Sequence, residues 1–457
     1  MAPGKTIFII VNPFLGLLVL FGLFTVAVLL VGCAPNRCYR TDYNLYDKPN
    51  PNDDPLNKAV VETRPEYKLG FVEFDEEGWF WDPKQAQAAE DLVRAGTTNA
   101  HAIVLLFVHG WKNNASYNCG NVQMLRQTLV EVHRAETIRS NQDNRPARNI
   151  IGIYCGWRGL SAKVEPFKEL SIWTRKKTAH KVGGHGAMTQ LFVELEKLQA
   201  ASNRNIPQGD IKTDLIIVGH SFGAAAVYSA ISQFTTERFV TQLEHNRPLK
   251  PLGDQVILLN PAFEASRHFN LNRLATTINK YPDSQRPVLS IFTSKGDWAT
   301  HWFLPIGQFF PTFFERMRDP FQRHASRQAV GWFAPYITHS LDFKKDATNN
   351  VEGISTLTSD ARHHEFHKSD QLQRSIQNVH AQRQKWHPNA PTPATYSFDD
   401  CVLKPKATFR PGDPFLLVAV DKRIMIDHDD ITNPVLINFL REYIQFCHGD
   451  SPNPPPH

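Results

Sequence analysis

The chain has 457 residues, of which 42% are hydrophobic and 21% are charged, so it is long enough to bury a large core. Its formal net charge of +5 is small for this length, and it contains no long basic run and no internal repeat. These features argue against a nucleic-acid partner and against a repeat architecture.

The N-terminal region is dominated by an apolar segment from Thr6 to Val31, which leads directly into Gly32-Cys33. The ending Leu-Val-Gly-Cys resembles the lipobox of bacterial lipoprotein precursors, whose cysteine is acylated and becomes the mature N-terminus. The resemblance implies that residues 1–32 are a signal peptide and that Cys33 carries lipid. Because Ala34 replaces the aspartate associated with inner-membrane retention, it also implies a bacterial outer-membrane location, facing the periplasm.

The alternative for residues 1–32 is an uncleaved single-pass membrane helix, since the apolar segment is long enough to span a bilayer. Flanking charges do not decide between the two, because Lys5 precedes the segment while Arg37 and Arg40 follow it. Both interpretations place the body of the protein outside the cytoplasm, with a membrane contact through the N-terminal lipid or helix.

The other cysteines are interpreted for an oxidising compartment. Cys155 lies in an apolar, strand-like run, which predicts a small buried side chain. Cys38, Cys119, Cys401 and Cys447 could form up to two disulfides, and their pairing is left open. The sequence has no CxxC motif, so it predicts neither a zinc ribbon nor a thioredoxin-like site.

The domain organisation follows from shifts in composition. Residues 33–68 are rich in Asp, Asn and Pro, which predicts a tether, and residues 448–457 form a Pro-rich tail. The folded domain is predicted over residues 69–447, with an insertion at about 301–410. Residues 302–336 of this insertion are dense in aromatic side chains, which predicts a lid over an apolar pocket or, alternatively, a hairpin packed for stability. Residues 345–410 are polar and Pro-rich, which predicts a surface insertion.

Apolar runs and helical patterns alternate along the domain. Strands are predicted at residues 69–74, 102–108, 150–155, 215–218, 255–259, 288–293 and 415–420, with a strand-like run at 424–426. Helices are predicted at residues 83–95, 122–136, 186–199, 222–234, 270–280 and 433–446. This alternation predicts an α/β fold with a mostly parallel, doubly wound sheet that is covered on both faces.

The elements are organised around the stretch Gly219-His-Ser-Phe-Gly223, in which two glycines flank Ser221. A serine presented at a sharp turn between a strand and a helix has strained backbone angles, and the neighbouring chain passes too close for side chains at positions ±2. The helix that follows directs backbone N–H groups at any oxyanion formed there. The spacing therefore predicts a nucleophilic Ser221.

The sequence resembles the α/β-hydrolase superfamily, in a poorly characterised bacterial branch. The matching residues are His109-Gly110-Trp111 after the strand at 102–108, the Ser221 turn after the strand at 215–218, and Asp297 after the strand at 288–293. The resemblance implies an α/β-hydrolase fold and a serine hydrolase whose triad follows the chain order serine, acid, histidine. It implies no metal and no organic cofactor.

The resemblance also implies the remaining roles in the site. Asp297 would be the acid, with Glu264 in the loop after the strand at 255–259 as its rival. His428 would be the base, because it lies between the last strand and the last helix. The backbone N–H groups of Trp111 and Phe222 would form the oxyanion hole. His109 is expected to support its loop, and Trp157 either lines the cleft or is structural.

The histidines at 363, 364 and 367 lack the spacing of a zinc motif, and a solvated surface turn is expected there. The sequence as a whole predicts a membrane-tethered, extracytoplasmic serine hydrolase that cleaves carboxylic esters, with an esterase-like or lipase-like substrate. One alternative is an acyltransferase that uses the same triad. Another is a catalytically silent binding protein on the same scaffold.

Overall fold

The structure is a computed structural model that describes residues 34–44, 57–161, 171–206, 210–244, 247–278, 280–307, 315–344, 369–407 and 409–448. The predicted signal segment, the predicted lipid-bearing Cys33 and the tail beyond His448 lie outside these residues. Within the described part of the chain, no helix has both the length and the apolar character needed to cross a membrane.

The strands of the described residues form one 11-stranded sheet in the order β1-β2-β4-β3-β5-β6-β7-β11-β8-β10-β9. They are β1 Val61–Thr63, β2 Lys68–Glu73, β3 Ala102–Val108, β4 Asn149–Gly156, β5 Asp214–His220, β6 Gln255–Leu259, β7 Leu289–Ser294, β8 His339–Phe343, β9 Tyr396–Ser397, β10 Cys401–Pro405 and β11 Phe415–Val420. Neighbours from β2 through β11 to β8 run parallel, whereas β1, β10 and β9 pair antiparallel. The prediction of a mostly parallel sheet is confirmed.

Helices cover both faces of this sheet. They are α1 Pro83–Thr97, α2 Gly120–Gln142, α3 Ile172–Gly184, α4 Ala187–Ser202, α5 Phe222–Glu244, α6 Phe269–Thr277, α7 Pro320–Arg327, α8 Ser369–Gln384 and α9 Pro434–His448. Alternate residues of β3 enter two separate cores: Val104 and Leu106 pack with α1, α4 and α5, whereas Leu105 and Phe107 pack with α2 and α9. Burial on both faces is the reason that the central strands are continuously apolar.

The segment predicted as a tether is instead packed on the domain in its described parts. Arg40 is fully buried, donates to Glu62 at 2.8 Å and lies over the ring of Phe71 at 3.6 Å. The backbone N–H groups of Tyr39 and Arg40 donate to the carboxylate of Glu73 at the end of β2. The amino-acid composition did not predict this packing, because the polar segment is held by specific ionic and hydrogen-bonding partners and not by burial of apolar side chains.

The insertion also differs from its prediction. Strands β8, β9 and β10 extend the sheet beyond β11, and α8 packs on α9. Phe333 and Tyr336 of the predicted lid are buried in the core. The phenylalanines at 309, 310, 313 and 314 lie outside the described residues. The predicted strand-like run at 424–426 forms a turn.

The five described cysteines, Cys38, Cys119, Cys155, Cys401 and Cys447, are all free thiols. Cys155 is fully buried in β4, as its apolar surroundings predicted, and burial raises the pKa of its thiol. Neither of the two disulfides that the count allowed is formed.

Candidate active site

The turn between β5 and α5 presents Ser221 in a left-handed conformation with φ of 56°. Its N–H donates to the carbonyl of Leu259 at 3.0 Å, and its carbonyl accepts from the N–H of Ala262 at 3.2 Å. Both bonds fix the turn to the end of the neighbouring strand β6. Positive φ is costly for a residue with a Cβ, so these contacts hold the serine in the sharp turn that the sequence predicted.

The flanking glycines are required by close backbone approach. A Cβ at Gly219 would lie 2.7 Å from the Cα of Ala224, and a Cβ at Gly223 would lie 2.1 Å from the carbonyl oxygen of Val108. A Cβ at Gly110 would lie 2.8 Å from the Cβ of Ser221. The three glycines therefore allow β3, β5 and α5 to meet at the serine.

Replacing Gly223 with alanine is expected to destabilise the protein by roughly 3 kcal/mol or more, because backbone atoms cannot yield as a flexible side chain would. Thermal unfolding followed by circular dichroism measures the loss. Alanine at Gly184 is the control, since a Cβ there meets no atom within 4 Å. Equal midpoints for the two variants would contradict the packing described here.

A continuous hydrogen-bonded chain connects Ser221, His428 and Asp297. The Ser221 hydroxyl lies 2.7 Å from Nε2 of His428, and Nδ1 of the same imidazole lies 2.9 Å from Oδ1 of Asp297. Asp297 follows β7, and His428 lies between β11 and α9. The structure thus brings together the three residues that the sequence assigned to nucleophile, base and acid.

Charge and burial have opposite effects on the pKa values of Asp297 and His428. Burial alone would raise the pKa of Asp297, but the attraction and hydrogen bond of His428 outweigh it and hold that pKa below its usual value. Burial alone would lower the pKa of His428, but Asp297 outweighs it and raises the pKa above its usual value. Asp297 is therefore an anion that accepts from the Nδ1–H of His428, which leaves Nε2 free to take a proton from Ser221.

Two further side chains hold the acid in place. Thr300 donates to Asp297 twice, through its backbone N–H at 3.0 Å and through its hydroxyl at 2.5 Å. The indole N–H of Trp332 donates to the same hydroxyl oxygen at 3.1 Å. Asp297 is fully buried, so these donors replace the water that an exposed carboxylate would bind.

The backbone of the His428 loop is fixed by Asn260 and His220. Nδ2 of Asn260 lies 2.9 Å from the carbonyl oxygen of His428, and its Oδ1 accepts from the N–H of Ser294 at 2.9 Å. Nε2 of His220 donates to the same carbonyl at 2.9 Å. Burial lowers the pKa of His220 to about 4, so this donor is a neutral imidazole. Sequence reasoning assigned no role to Asn260, His220, Thr300 or Trp332.

The predicted oxyanion hole lies between the loop after β3 and the start of α5. Phe222 is the first residue of α5, so its N–H has no acceptor within the helix. Among the described residues, the N–H of Trp111 donates to no other backbone group. Both N–H groups belong to segments that meet at Ser221, because Gly110 lies against its Cβ. This is the placement that the predicted oxyanion hole requires.

His109 supports this loop, as expected. It is fully buried, its Nδ1 donates to the carbonyl of Gly110 at 2.8 Å, and its Nε2 accepts from the backbone N–H of Trp157 at 3.0 Å. The indole of Trp157 stacks on the imidazole and donates to the carbonyl of His109 at 2.9 Å. Of the two roles weighed for Trp157, the structural one fits these contacts.

Glu264, the rival for the acid, lies outside the hydrogen-bonded chain, as does His339 of the insertion. Glu264 forms ion pairs with Lys176 and Arg267, and burial, which would raise its pKa, is outweighed by Lys176, so that its pKa falls to about 2. His339 is buried in β8 and bonds the hydroxyl of Thr338. The histidines at 363, 364 and 367 lie outside the described residues.

One group of side chains has the spacing of a metal site within the described residues. The nearest ligand atoms of His220, His428 and Asp429 lie within 4.8 Å of one another. Both ring nitrogens of His428 already bond Ser221 and Asp297, and Nε2 of His220 bonds a carbonyl. The geometry of this group is therefore accounted for by the hydrogen-bonded chain.

No protein-family model and no curated protein matches this sequence. Among solved structures, the chain is similar to a Trichoderma reesei cutinase in complex with a C11Y4 phosphonate inhibitor, with 14% sequence identity and a TM-score of 0.15. The match covers 39% of this chain and 67% of the cutinase chain. The chain is also similar to the Tle1 effector bound to the VgrG spike from the Type 6 secretion system, with 10% identity, 56% of this chain and 60% of that chain covered, and a TM-score of 0.16. Likenesses this remote say nothing about the function of this chain.

Buried neutral histidines contribute a stability that is lost in mild acid. Burial lowers the pKa of His109, His220 and His268 to about 4 and that of His339 to about 3. Between about pH 6.5 and 4 the unfolded chain binds protons at these histidines that the folded chain does not, so their contribution to the free energy of unfolding falls as the pH falls. The buried carboxyls of Asp254, Asp413 and Glu442, whose pKa values burial raises to about 8, 7 and 8, act in the opposite sense, as does His428, so the contribution of one histidine is measured by difference.

We therefore expect His268→Gln to lower the denaturant midpoint less at pH 5 than at pH 7.5, because the wild type loses the contribution of this neutral imidazole as the pH falls. Guanidinium unfolding of both proteins at a series of pH values, followed by fluorescence, measures this. An equal loss at the two pH values would contradict the neutral, buried state of His268.

Proposed function

We propose that this protein is a serine hydrolase of the α/β-hydrolase superfamily that cleaves carboxylic esters through an acyl-enzyme on Ser221. The observation that carries the proposal is the hydrogen-bonded chain from Ser221 through His428 to Asp297, with distances of 2.7 and 2.9 Å. The order serine, acid, histidine along the chain and the strained turn at Ser221 support the superfamily assignment.

The geometry suits general-base catalysis of acyl transfer. The Ser221 hydroxyl would attack the ester carbonyl while Nε2 of His428 takes its proton, and Asp297 would stabilise the imidazolium. The N–H groups of Trp111 and Phe222 would stabilise the oxyanion of the tetrahedral intermediate. Collapse of the intermediate would break the ester C–O bond, with His428 returning the proton to the leaving alcohol. Water, activated by the same imidazole, would then release the acid and regenerate the Ser221 hydroxyl.

We also propose that the protein is held in the bacterial outer membrane, facing the periplasm, by lipid on Cys33 at the end of the signal segment. This rests on the sequence pattern alone, since Cys33 lies outside the described residues. Mass spectrometry of the mature N-terminus tests it: a fatty-acylated Cys33 is expected. An intact segment 1–32 would instead support the single-pass helix, and an unmodified Cys33 would contradict the proposal.

A series of p-nitrophenyl esters of increasing acyl length, combined with a fluorophosphonate probe on the same sample, tests the proposed reaction. We expect both labelling and turnover. Labelling without turnover would instead favour transfer of the acyl group to an acceptor other than water. No labelling and no turnover would favour the binding-protein alternative.

A further inference from the structure

The carboxyl edge of the parallel strands, where Ser221 lies, carries large apolar side chains that water reaches freely. Trp79 follows β2 and is 67% exposed, and Trp302 follows β7 and is 61% exposed. The other members of this group are Trp81 after β2, Trp298 and Ile306 after β7, and Ile426 after β11. Exposed apolar groups concentrated on one side of a molecule mark an interaction surface.

The exposed group lies on both sides of the candidate active site. The order of the sheet places β2 three strands from β5 on one side and β7 two strands from β5 on the other. With neighbouring strands about 4.8 Å apart, β2 and β7 lie about 14 Å and about 10 Å from β5, the strand that leads into Ser221. A flat partner that contacts the exposed groups after both strands therefore also lies over the carboxyl end of β5.

The exposed side chain of Trp79 is held by a structured turn. The carboxylate of Asp75 accepts from the N–H groups of Glu77 and Trp79, and Phe74 pairs with Phe80 across the base of the turn. The exposure of this indole is thus a fixed feature of the fold.

The chain leading to the predicted anchor ends at the same edge. Ala34, the first described residue, is buried, and its N–H donates to the carbonyl of Ser161 at 2.8 Å. Arg158, which follows β4, donates to the carbonyl of Ala34 at 2.5 Å and to Glu76 at 2.7 Å. Glu76 belongs to the same turn as Trp79. The guanidinium of Arg158 therefore connects Ala34, which follows the predicted anchor, to the exposed turn.

We infer that this edge is a membrane-docking surface and that a lipid bilayer is its partner. The apolar segment 6–31 and Cys33 directly precede Ala34, with no long spacer between them. An anchor inserted in the bilayer would therefore hold this edge of the protein against the membrane surface. Trp is favoured at the boundary between lipid and water, which fits the indoles at 79, 298 and 302. The entrance to Ser221 then faces the lipid, and substrates reach it from the bilayer.

Quenching of Trp fluorescence by brominated phosphatidylcholine in vesicles that carry the full chain tests this orientation. Residues 1–33 contain no Trp, so all quenched emission comes from the body of the protein. Replacing Trp79, Trp298 and Trp302 together with Phe is expected to reduce the quenched intensity at least about twofold. The matched control Trp386→Phe removes a buried indole and is expected to leave the quenched intensity unchanged.

Quenched intensity that is unaffected by the triple replacement, or a full chain that does not float with vesicles, would overturn the inference. A second arm rests on the proposed function: Trp79→Ser should slow hydrolysis of an ester embedded in vesicles several-fold and leave kcat/KM for a soluble ester unchanged. The control is Val240→Ser, since Val240 is 41% exposed on α5, away from this edge. Because quenching requires no catalysis, an inactive wild type would contradict the proposed function without affecting the test of orientation.

Discussion

Ester turnover by a Ser221→Ala variant is expected to be lower than that of the wild type by at least about three orders of magnitude. The replacement removes the Oγ that lies 2.7 Å from Nε2 of His428, and it leaves the hydrogen bond between His428 and Asp297 intact. The measurement is kcat with a p-nitrophenyl ester, with circular dichroism and thermal unfolding to show that the variant is folded. Comparable turnover by a folded variant would remove Ser221 from the mechanism.

The Asp297→Asn variant is expected to lose about four orders of magnitude in kcat. The amide is similar in size to the carboxylate, but it cannot stabilise the imidazolium of His428 and it favours the wrong tautomer. Because the pKa of His428 is raised by Asp297, the replacement should also lower the pH at which kcat/KM rises. That shift is measurable as a pH profile and separates loss of the anion from general damage.

Glu264→Gln is the matched control for the acid. Glu264 is buried and paired with Lys176 and Arg267, so its replacement leaves the buried ammonium of Lys176 without its anion. We expect a lower thermal midpoint and turnover within about tenfold of the wild type. A severe loss of turnover at Glu264 beside a mild one at Asp297 would move the acid to the loop after β6.

Much of the central sheet could be predicted because burial on both faces leaves a continuous apolar run. The bounds of β3, β6 and β11 are those predicted from the sequence. The strands of the insertion were missed because β8 is buried on one face only, which gives a short and weaker alternating pattern. Because β8, β9 and β10 lie in a long insertion, their position beyond β11 at the edge of the sheet could not be predicted from chain order.

Helix α3 was missed for a different reason. Its buried positions include Arg175 and Lys176, which are satisfied by Glu76 and Glu264 from distant parts of the chain. A helix that buries charged residues shows no apolar periodicity, and its ionic partners are not recognisable before the fold is known. The docking of Arg40 onto Glu62 escaped sequence reasoning in the same way.

The three residues of the hydrogen-bonded chain could be predicted because each lies directly after a recognisable strand. Ser221, Asp297 and His428 follow β5, β7 and β11, whose carboxyl ends meet at one edge. The supporting residues Asn260 and Thr300 act through contacts with backbone or carboxylate groups that spacing alone does not reveal. For this site, therefore, the sequence predicts three residues that the structure brings together, and the structure is needed to identify the groups that position them.

The most direct test of the acyl-enzyme is to locate the adduct that a fluorophosphonate leaves on the full chain, by mass spectrometry of proteolytic peptides. We expect a single adduct on Ser221, which is lost in Ser221→Ala and formed much more slowly in Asp297→Asn. An adduct on another serine, or ester hydrolysis that continues after complete modification of Ser221, would contradict it.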